Sequence, residues 1–316
     1  MNNIYLDILH NDLSEVKKKK TIFFIKMKLF FYYVQRPLAN LYFKFFLNNI
    51  LIDDIIYRQL TTCLLNEGGM FKQHVYGICN KIRILKDSVI LIPGCGYGHN
   101  IFQMAAWKPK KIVAFDLFEY RQEWEYVQKN VQEIFGVQVE FYGGDFSKIP
   151  ENYSNSFDFI ISDAVLEHVK DLPQFLLSSK KFLKKSGIFY ASFGPLWYGP
   201  GGDHIDWGRG REFDHLILSE ETYTHELNTK NTSPSYDSCD GFYMFKEKLF
   251  SYLRIEEYFK IFNKNNFIVL QSFAKISTRA ISYIKKNKYD LDSNKVPLFD
   301  RYCSGMYIWM RNNKNE

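Results

Sequence analysis

The chain has 316 residues, 46% hydrophobic and 24% charged, which excludes a disordered or low-complexity protein and leaves room for a full core plus an extra module. Its formal net charge is +6, and residues 1–50 hold eight basic against three acidic residues, so nearly all of the excess lies there. The rest is close to neutral, which argues against a long nucleic-acid groove across it.

Residues 17–56 join a basic run to an aromatic, apolar stretch. Lys26, Lys28, Arg36 and Lys44 interrupt it, so neither a signal peptide nor a spanning helix is expected. Two readings stand. One is a membrane-surface helix with lysines outward. The other is a helical extension packed on the next domain or on a second subunit, which aromatic residues at helical spacing favour. The expected organisation is a helical extension over residues 1–80 and a main domain over residues 81–316.

Residues 89–100, VILIPGCGYGHN, are the most informative segment. A short apolar run reads as a buried parallel strand. It breaks into Gly94, Gly96 and Gly98, which let the backbone turn tightly and approach a ligand. Ile101, Met104 and Ala105 then fit a helix. Strand, glycine turn and helix together make a nucleotide-type cofactor site. The spacing is Gly-x-Gly-x-Gly, with His99 where a dinucleotide fingerprint wants its last glycine, and no Lys-Ser/Thr follows, so a P-loop is not expected. Cys95 is read as a small loop residue. The five cysteines are odd in number, scattered and without a CxxC pair, as suits reduced thiols in the cytoplasm.

Lys111–Asp116 is a second apolar run ending in an acid able to accept both hydroxyls of a ribose. Residues 119–135 carry Trp124, Val127, Val131 and Ile134 at helical spacing, with Gly136 as the stop. Residues 137–142 read as a strand leading to Gly143-Gly144-Asp145-Phe146. Residues 157–162 are a fourth strand, running into Asp163-Ala164-Val165-Leu166-Glu167-His168-Val169. Pro173 opens a helix ended by Gly187, and residues 188–193 form a fifth strand. Residues 267–273 and 302–310 read as the last two. Strands alternating with helices give a doubly wound parallel sheet.

These motifs resemble the class I S-adenosylmethionine-dependent methyltransferases, well over residues 89–193 and loosely beyond. The resemblance implies a Rossmann-like, doubly wound, seven-stranded sheet with the last strand antiparallel. It implies S-adenosylmethionine as cofactor and S-adenosylhomocysteine as product. It places Gly94, Gly96 and Gly98 under the amino-acid part of the cofactor, and Asp116 with neighbouring Leu117 at the ribose. It places Asp145 and Phe146 at the adenine, and residues 163–169 facing cofactor and substrate. It also suggests that residues 70–76 approach the cofactor as a lid. The family usually has an acid two residues before the first loop glycine. This chain has Ile92 there, and Asp163 is the expected substitute for holding the methionine amino group.

Acceptor chemistry is expected from residues 194–207, which leave the carboxyl end of the fifth strand, where open α/β sheets bind ligands. Residues 192–204 also resemble the loop of bacterial methyltransferases of surface-polysaccharide and small-molecule pathways. An alcohol acceptor must lose a proton, which suits a histidine near neutral pH. His204 is the first candidate base and His168 the second, with Asp206 or Asp203 as orienting carboxylates. Asp163, Glu167, His168 and Asp206 offer an alternative, a Mg²⁺ site; a metal-free reaction is the default. Residues 195–262 exceed an ordinary loop and are expected to form a cap, with 228–240 exposed and 247–262 helical.

The leading functional expectation is an O-methyltransferase of a small polar metabolite, a sugar or nucleotide-linked sugar of a bacterial surface polysaccharide. The alternatives are an RNA methyltransferase and a non-catalytic, cofactor-binding or membrane-associated subunit. DNA is not an expected partner, because the Asn/Asp-Pro-Pro-Tyr/Phe turn is absent after residue 162. The N-terminal region leaves peripheral membrane contact and a homodimer open, and a cytoplasmic location is expected.

Overall fold

A computed structural model of the chain describes residues 3–7, 79, 82–105, 107–205, 210–229, 241–277, 280–281, 283–284 and 296–313. The chain divides into two compact units. The first comprises Asp12–Glu151 with Phe157–Phe159, and the second Met1–Asn11, Asn152–Ser156 and Ile160–Glu316.

The first unit holds β2 (Val89–Pro93), α1 (His99–Ala105), β3 (Lys111–Asp116), α2 (Arg121–Phe135) and β4 (Gln138–Gly143). β2 pairs in parallel with β3, and β3 with β4; Val89 stands opposite Lys111 and Lys111 opposite Gln138. Ile90, Leu91, Ile112, Val113 and Ala114 are fully buried, as continuous apolar runs of a parallel sheet require. α2 packs on β4 and buries Trp124, Val127 and Val131. Gly136 ends it at φ 68, its N–H bonded to Gln132 O, the left-handed stop that the sequence suggests. The Asp158 carboxylate pairs with Arg83 and accepts the Val89 N–H at 3.0 Å.

The second unit holds β1 (Asn3–Asp7), α3 (Leu172–Phe182), β6 (Leu183–Phe193), α4 (Asp214–Ile217), α5 (Glu220–Thr229) and α6 (Gly241–Lys246). It continues with α7 (Ile255–Lys264), β7 (Phe267–Ser277), α8 (Leu298–Tyr302) and β8 (Cys303–Asn312). β5 (Phe157–Asp163) carries residues of both units. β8 runs antiparallel to both β6 and β7. Hydrogen-bonded neighbours follow the order β1-β7-β8-β6-β5-β2-β3-β4. The seven strands from β2 to β8 thus form the expected Rossmann-like mixed sheet with its last strand antiparallel.

Three expectations need correction. The sheet has an eighth strand: β1 pairs antiparallel with β7, Asn3 opposite Ser277, inside the region read as a helical extension. Apart from that strand and residue 79, residues 1–80 lie outside the described residues, including the 70–76 lid and the 17–56 segment. Second, the helix expected to stop at Gly187 ends at Phe182, and β6 begins at Leu183. Leu183 is buried with ψ 138, and Asn312 Nδ2 donates to Lys184 O at 3.3 Å, so tertiary contacts hold this stretch extended. Third, the helix expected over 247–262 starts at Ile255. Arg254 N–H donates to Glu257 Oε2 at 2.7 Å, and Asp300 Oδ1 accepts the Ile255 N–H at 3.0 Å. Both bonds fix that start. α7 then packs on α3 and β7, burying Ile255, Tyr258 and Phe262. It therefore belongs to the sheet packing rather than to a cap. Among the described residues, no helix is long and apolar enough to cross a membrane.

Candidate active site

In the first unit, the turn after β2 is held from three sides. Asp116, at the end of β3, accepts the Gly96 N–H at 2.8 Å and the Phe118 N–H at 3.1 Å. Trp124 Nε1 donates to Gly96 O at 2.8 Å, and the indole stacks on Phe141 at 5.1 Å and 8°. Cys95 N–H bonds Phe115 O at 3.1 Å. Burial pushes the Asp116 carboxyl up, opposed by the N–H groups of Phe118, Gly96 and Leu117. Burial likewise raises the Cys95 thiol, with Asp116 adding to it, which fits a packing role rather than a nucleophile.

The cradle suits a nucleoside sulfonium cofactor. Gly98 lies at φ 85, and a Cβ there would stand 3.2 Å from the Phe141 ring. Gly96 lies at φ 52, and among the described residues no atom comes within 4 Å of where a Cβ would stand. Leu117, next to Asp116, is 70% exposed, an unusual placement for leucine beside a buried acid. Asp145 is exposed and accepts the Ser147 N–H at 2.8 Å, which with the Ser147 side chain holds its carboxyl low and ionised. Half-buried Phe146 sets its ring edge-on to Phe115 at 4.7 Å. The structure thus groups Gly94, Gly96, Gly98, Asp116, Leu117, Asp145 and Phe146 in one unit.

In the second unit, β5 ends at Asp163, whose Oδ1 accepts the Ser192 hydroxyl. The turn continues through Ala164 at φ 57 into a short 3-10 helix, Leu166–His168. Glu167 is 2% exposed. Its Oε1 accepts the Gly194 N–H at 2.8 Å, while Oε2 is buried and has no hydrogen-bond partner among the described residues. Burial pushes this carboxyl up, opposed by the nearby charge of His168 and the Gly194 N–H.

His168 Nδ1 lies 2.8 Å from Leu249 O, and His204 Nε2 lies 3.0 Å from Pro195 O. A carbonyl oxygen only accepts, so each of these nitrogens carries the proton. Nε2 of His168 and Nδ1 of His204 are the ring nitrogens outside these two backbone contacts. The two rings meet at 4.7 Å, and Phe250 packs on both, at 5.6 and 5.4 Å. Burial, aided by His168, pushes His204 down to about 4. The imidazole stays neutral, which corrects its reading as a base poised near neutral pH.

One of the two orienting carboxylates, Asp203, takes other partners. Asp203 is fully buried and accepts the Tyr223 hydroxyl at 2.5 Å and the Ile205 N–H at 3.3 Å. His204 is oriented by the Pro195 carbonyl instead. Asp206 lies outside the described residues. Gly202 is required by close packing: a Cβ there would stand 2.3 Å from the carbonyls of Leu196 and Trp197. That packing turns the chain into His204, itself at φ 60.

A cavity of about 710 Å³ opens in the same unit, walled by Trp197, Tyr223, Phe245 and Tyr252 with Lys246 and Lys248. Phe250 links it to the histidines, since its ring lies 5.1 Å from Trp197. Sequence reasoning missed Phe250, Tyr223 and His215. His215 Nε2 donates to Trp197 O at 2.7 Å and fixes one cavity wall. No local pattern marks their part in the site, because the contacts with Trp197 and Asp203 that place them there span 18 or more residues.

Residues 84–237 match the model of a family described as a methyltransferase domain. The chain is 32% identical over 109 residues to the tRNA U34 carboxymethyltransferase of Campylobacter fetus, covering 33% of this chain and 35% of that protein. It is 30% identical over 111 residues to the protein of the same name from Helicobacter pylori, covering 33% and 39%. It therefore spans little more than a third of these curated relatives. A solved structure of phosphoethanolamine N-methyltransferase 2 from Haemonchus contortus, in complex with S-adenosyl-L-methionine, is similar at 15% identity. Its TM-score is 0.48, over 82% of this chain and 56% of that one. The segment that carries the glycine cradle therefore matches a methyltransferase domain, in keeping with the family that its motifs resemble.

Proposed function

We propose that the chain transfers a methyl group from S-adenosylmethionine to a hydroxyl of a small polar acceptor, a sugar or nucleotide-linked sugar of a surface polysaccharide. The cavity beside Trp197 carries this reading. Aromatic walls stack on sugar faces, and Lys246 and Lys248 suit an acceptor bearing phosphate. The cofactor supplies an electrophilic methyl group on a sulfonium. The chain's own residues bind, orient and shield. Asp116, with Leu117 beside it, would hold the ribose hydroxyls, and Asp145 and Phe146 would hold the adenine. Asp163 lies in the stretch assigned to the methionine amino group. Glu167, His168 and His204 come together and orient the acceptor hydroxyl. Phe250 and Trp197 exclude water around them.

Labelled methyl transfer to a panel of nucleotide sugars and small hydroxyl compounds tests the reading. Label in that fraction is the expected result, and label in none of them refutes it. A second reading is RNA methylation, favoured by the two relatives named as tRNA-modifying proteins. Transfer of label to tRNA, with affinity falling steeply as salt rises, would select it instead.

Asp116→Ala is expected to weaken S-adenosylhomocysteine binding about 10- to 100-fold. The change removes the ribose acceptor and leaves the Gly96 and Phe118 N–H groups unpaired, each at a cost of about 1–3 kcal/mol. Unchanged affinity in a calorimeter would overturn the ribose assignment.

A further inference from the structure

We propose that Glu167, His168 and His204 form a binding site for a first-row divalent cation of the Zn²⁺ or Co²⁺ kind. One ligand atom from each residue lies within 4.8 Å of the others. The atoms we assign as ligands are Glu167 Oε2, His168 Nε2 and His204 Nδ1. Each is the atom left over after its side chain has been fixed by backbone. Gly194 N–H holds Glu167 Oε1, Leu249 O holds His168 Nδ1, and Pro195 O holds His204 Nε2. This is the outer-shell arrangement that orients metal-binding imidazoles and carboxylates and fixes the tautomer.

The second observation is the orphaned oxygen. Glu167 Oε2 is buried and has no hydrogen-bond partner among the described residues. An acceptor left unpaired in the interior is unfavourable, and a cation supplies what it lacks. Two imidazoles and one carboxylate suit Zn²⁺, Fe²⁺ or Co²⁺ better than Mg²⁺ or Ca²⁺, which prefer all-oxygen sets. Three protein ligands leave positions open, and Phe250 forms a dry wall across both rings. Sequence spacing hides the set: Glu167 and His168 follow β5, whereas His204 lies in the loop after β6. The site differs from the oxygen-rich grouping with Asp163 and Asp206 suggested by spacing alone. Asp163 is engaged by Ser192.

The role rests on the acceptor reading above: an open coordination position would take the acceptor oxygen. The binding claim stands apart from it, and so does its test, which uses neither cofactor nor acceptor. The full chain is treated with chelator and titrated with Co²⁺ while visible absorption is recorded. Saturation at one equivalent, reversal by Zn²⁺, and loss in both His168→Ala and His204→Ala are expected. Glu167→Gln should weaken binding at least about tenfold. Circular dichroism confirms that each variant is folded. A nitrogen-15 NMR titration of the wild-type chain with Zn²⁺ guards against variants that fail to fold. It should move Nε2 of His168 and Nδ1 of His204 and leave their other ring nitrogens protonated. No saturable Co²⁺ binding by the wild type, or Zn²⁺ shifts at other histidines only, overturns the site.

Discussion

Replacing His204 with Ala is expected to lower turnover by about 10²- to 10⁴-fold, the range of a lost positioned proton-handling or ligating group, with cofactor affinity unchanged within about twofold. The side chain offers one free lone pair, at Nδ1, because Nε2 is committed to Pro195 O. It also buttresses His168, whose ring lies 4.7 Å away. The substitution isolates these effects cleanly. His204 sits at φ 60, a left-handed conformation that histidine adopts more readily than most residues, so circular dichroism must confirm that the variant is folded. The cradle residues Gly94 to Gly98 and Asp116 belong to the other unit. Steady-state kinetics on the acceptor identified by the labelling screen, beside calorimetry with S-adenosylhomocysteine, separates the two quantities. Turnover equal to wild type would remove His204 from the acceptor machinery.

Replacing Trp309 with Ala should destabilise the second unit by about 3–5 kcal/mol, the range for truncating a large buried aromatic. Trp309 is fully buried on β8, the strand shared by β6 and β7. Its ring lies 4.8 Å from Tyr190 and 5.9 Å edge-on from Phe273, so one truncation opens a void toward both neighbouring strands. Urea denaturation followed by circular dichroism measures the loss. The midpoint should fall while the slope holds, since the surface exposed on unfolding barely changes. A loss below about 1 kcal/mol would mean that the site collapses around the void.

The cofactor half was legible because its chemistry is local. Pro93 to Gly98 is one continuous turn, and the acid that ties it, Asp116, ends the next apolar run. Buried parallel strands also announce themselves as unbroken apolar stretches, which is why Lys111–Asp116 matches its sequence reading residue for residue. The acceptor half was legible only as a list of candidates. His168 and His204 are 36 residues apart, and what joins them is a pair of carbonyls, Leu249 O and Pro195 O, that carry no sequence signature. The same holds for Asp203, which resembles a partner for its neighbour His204 but bonds Tyr223, 20 residues on. Leu183 shows the limit for secondary structure. Its local pattern continues a helix, and burial with the Asn312–Lys184 bond overrides it. β1 has no reading of its own, because an edge strand needs the register of β7 to define it.

The direct test of the glycine cradle as the seat of the donor is calorimetric titration of the full chain with S-adenosylhomocysteine. The account expects saturation at one equivalent in the wild type and a large loss of affinity in Asp116→Ala. A flat trace from folded wild-type protein, or displacement of the bound nucleoside by a nicotinamide dinucleotide at equal concentration, would contradict it.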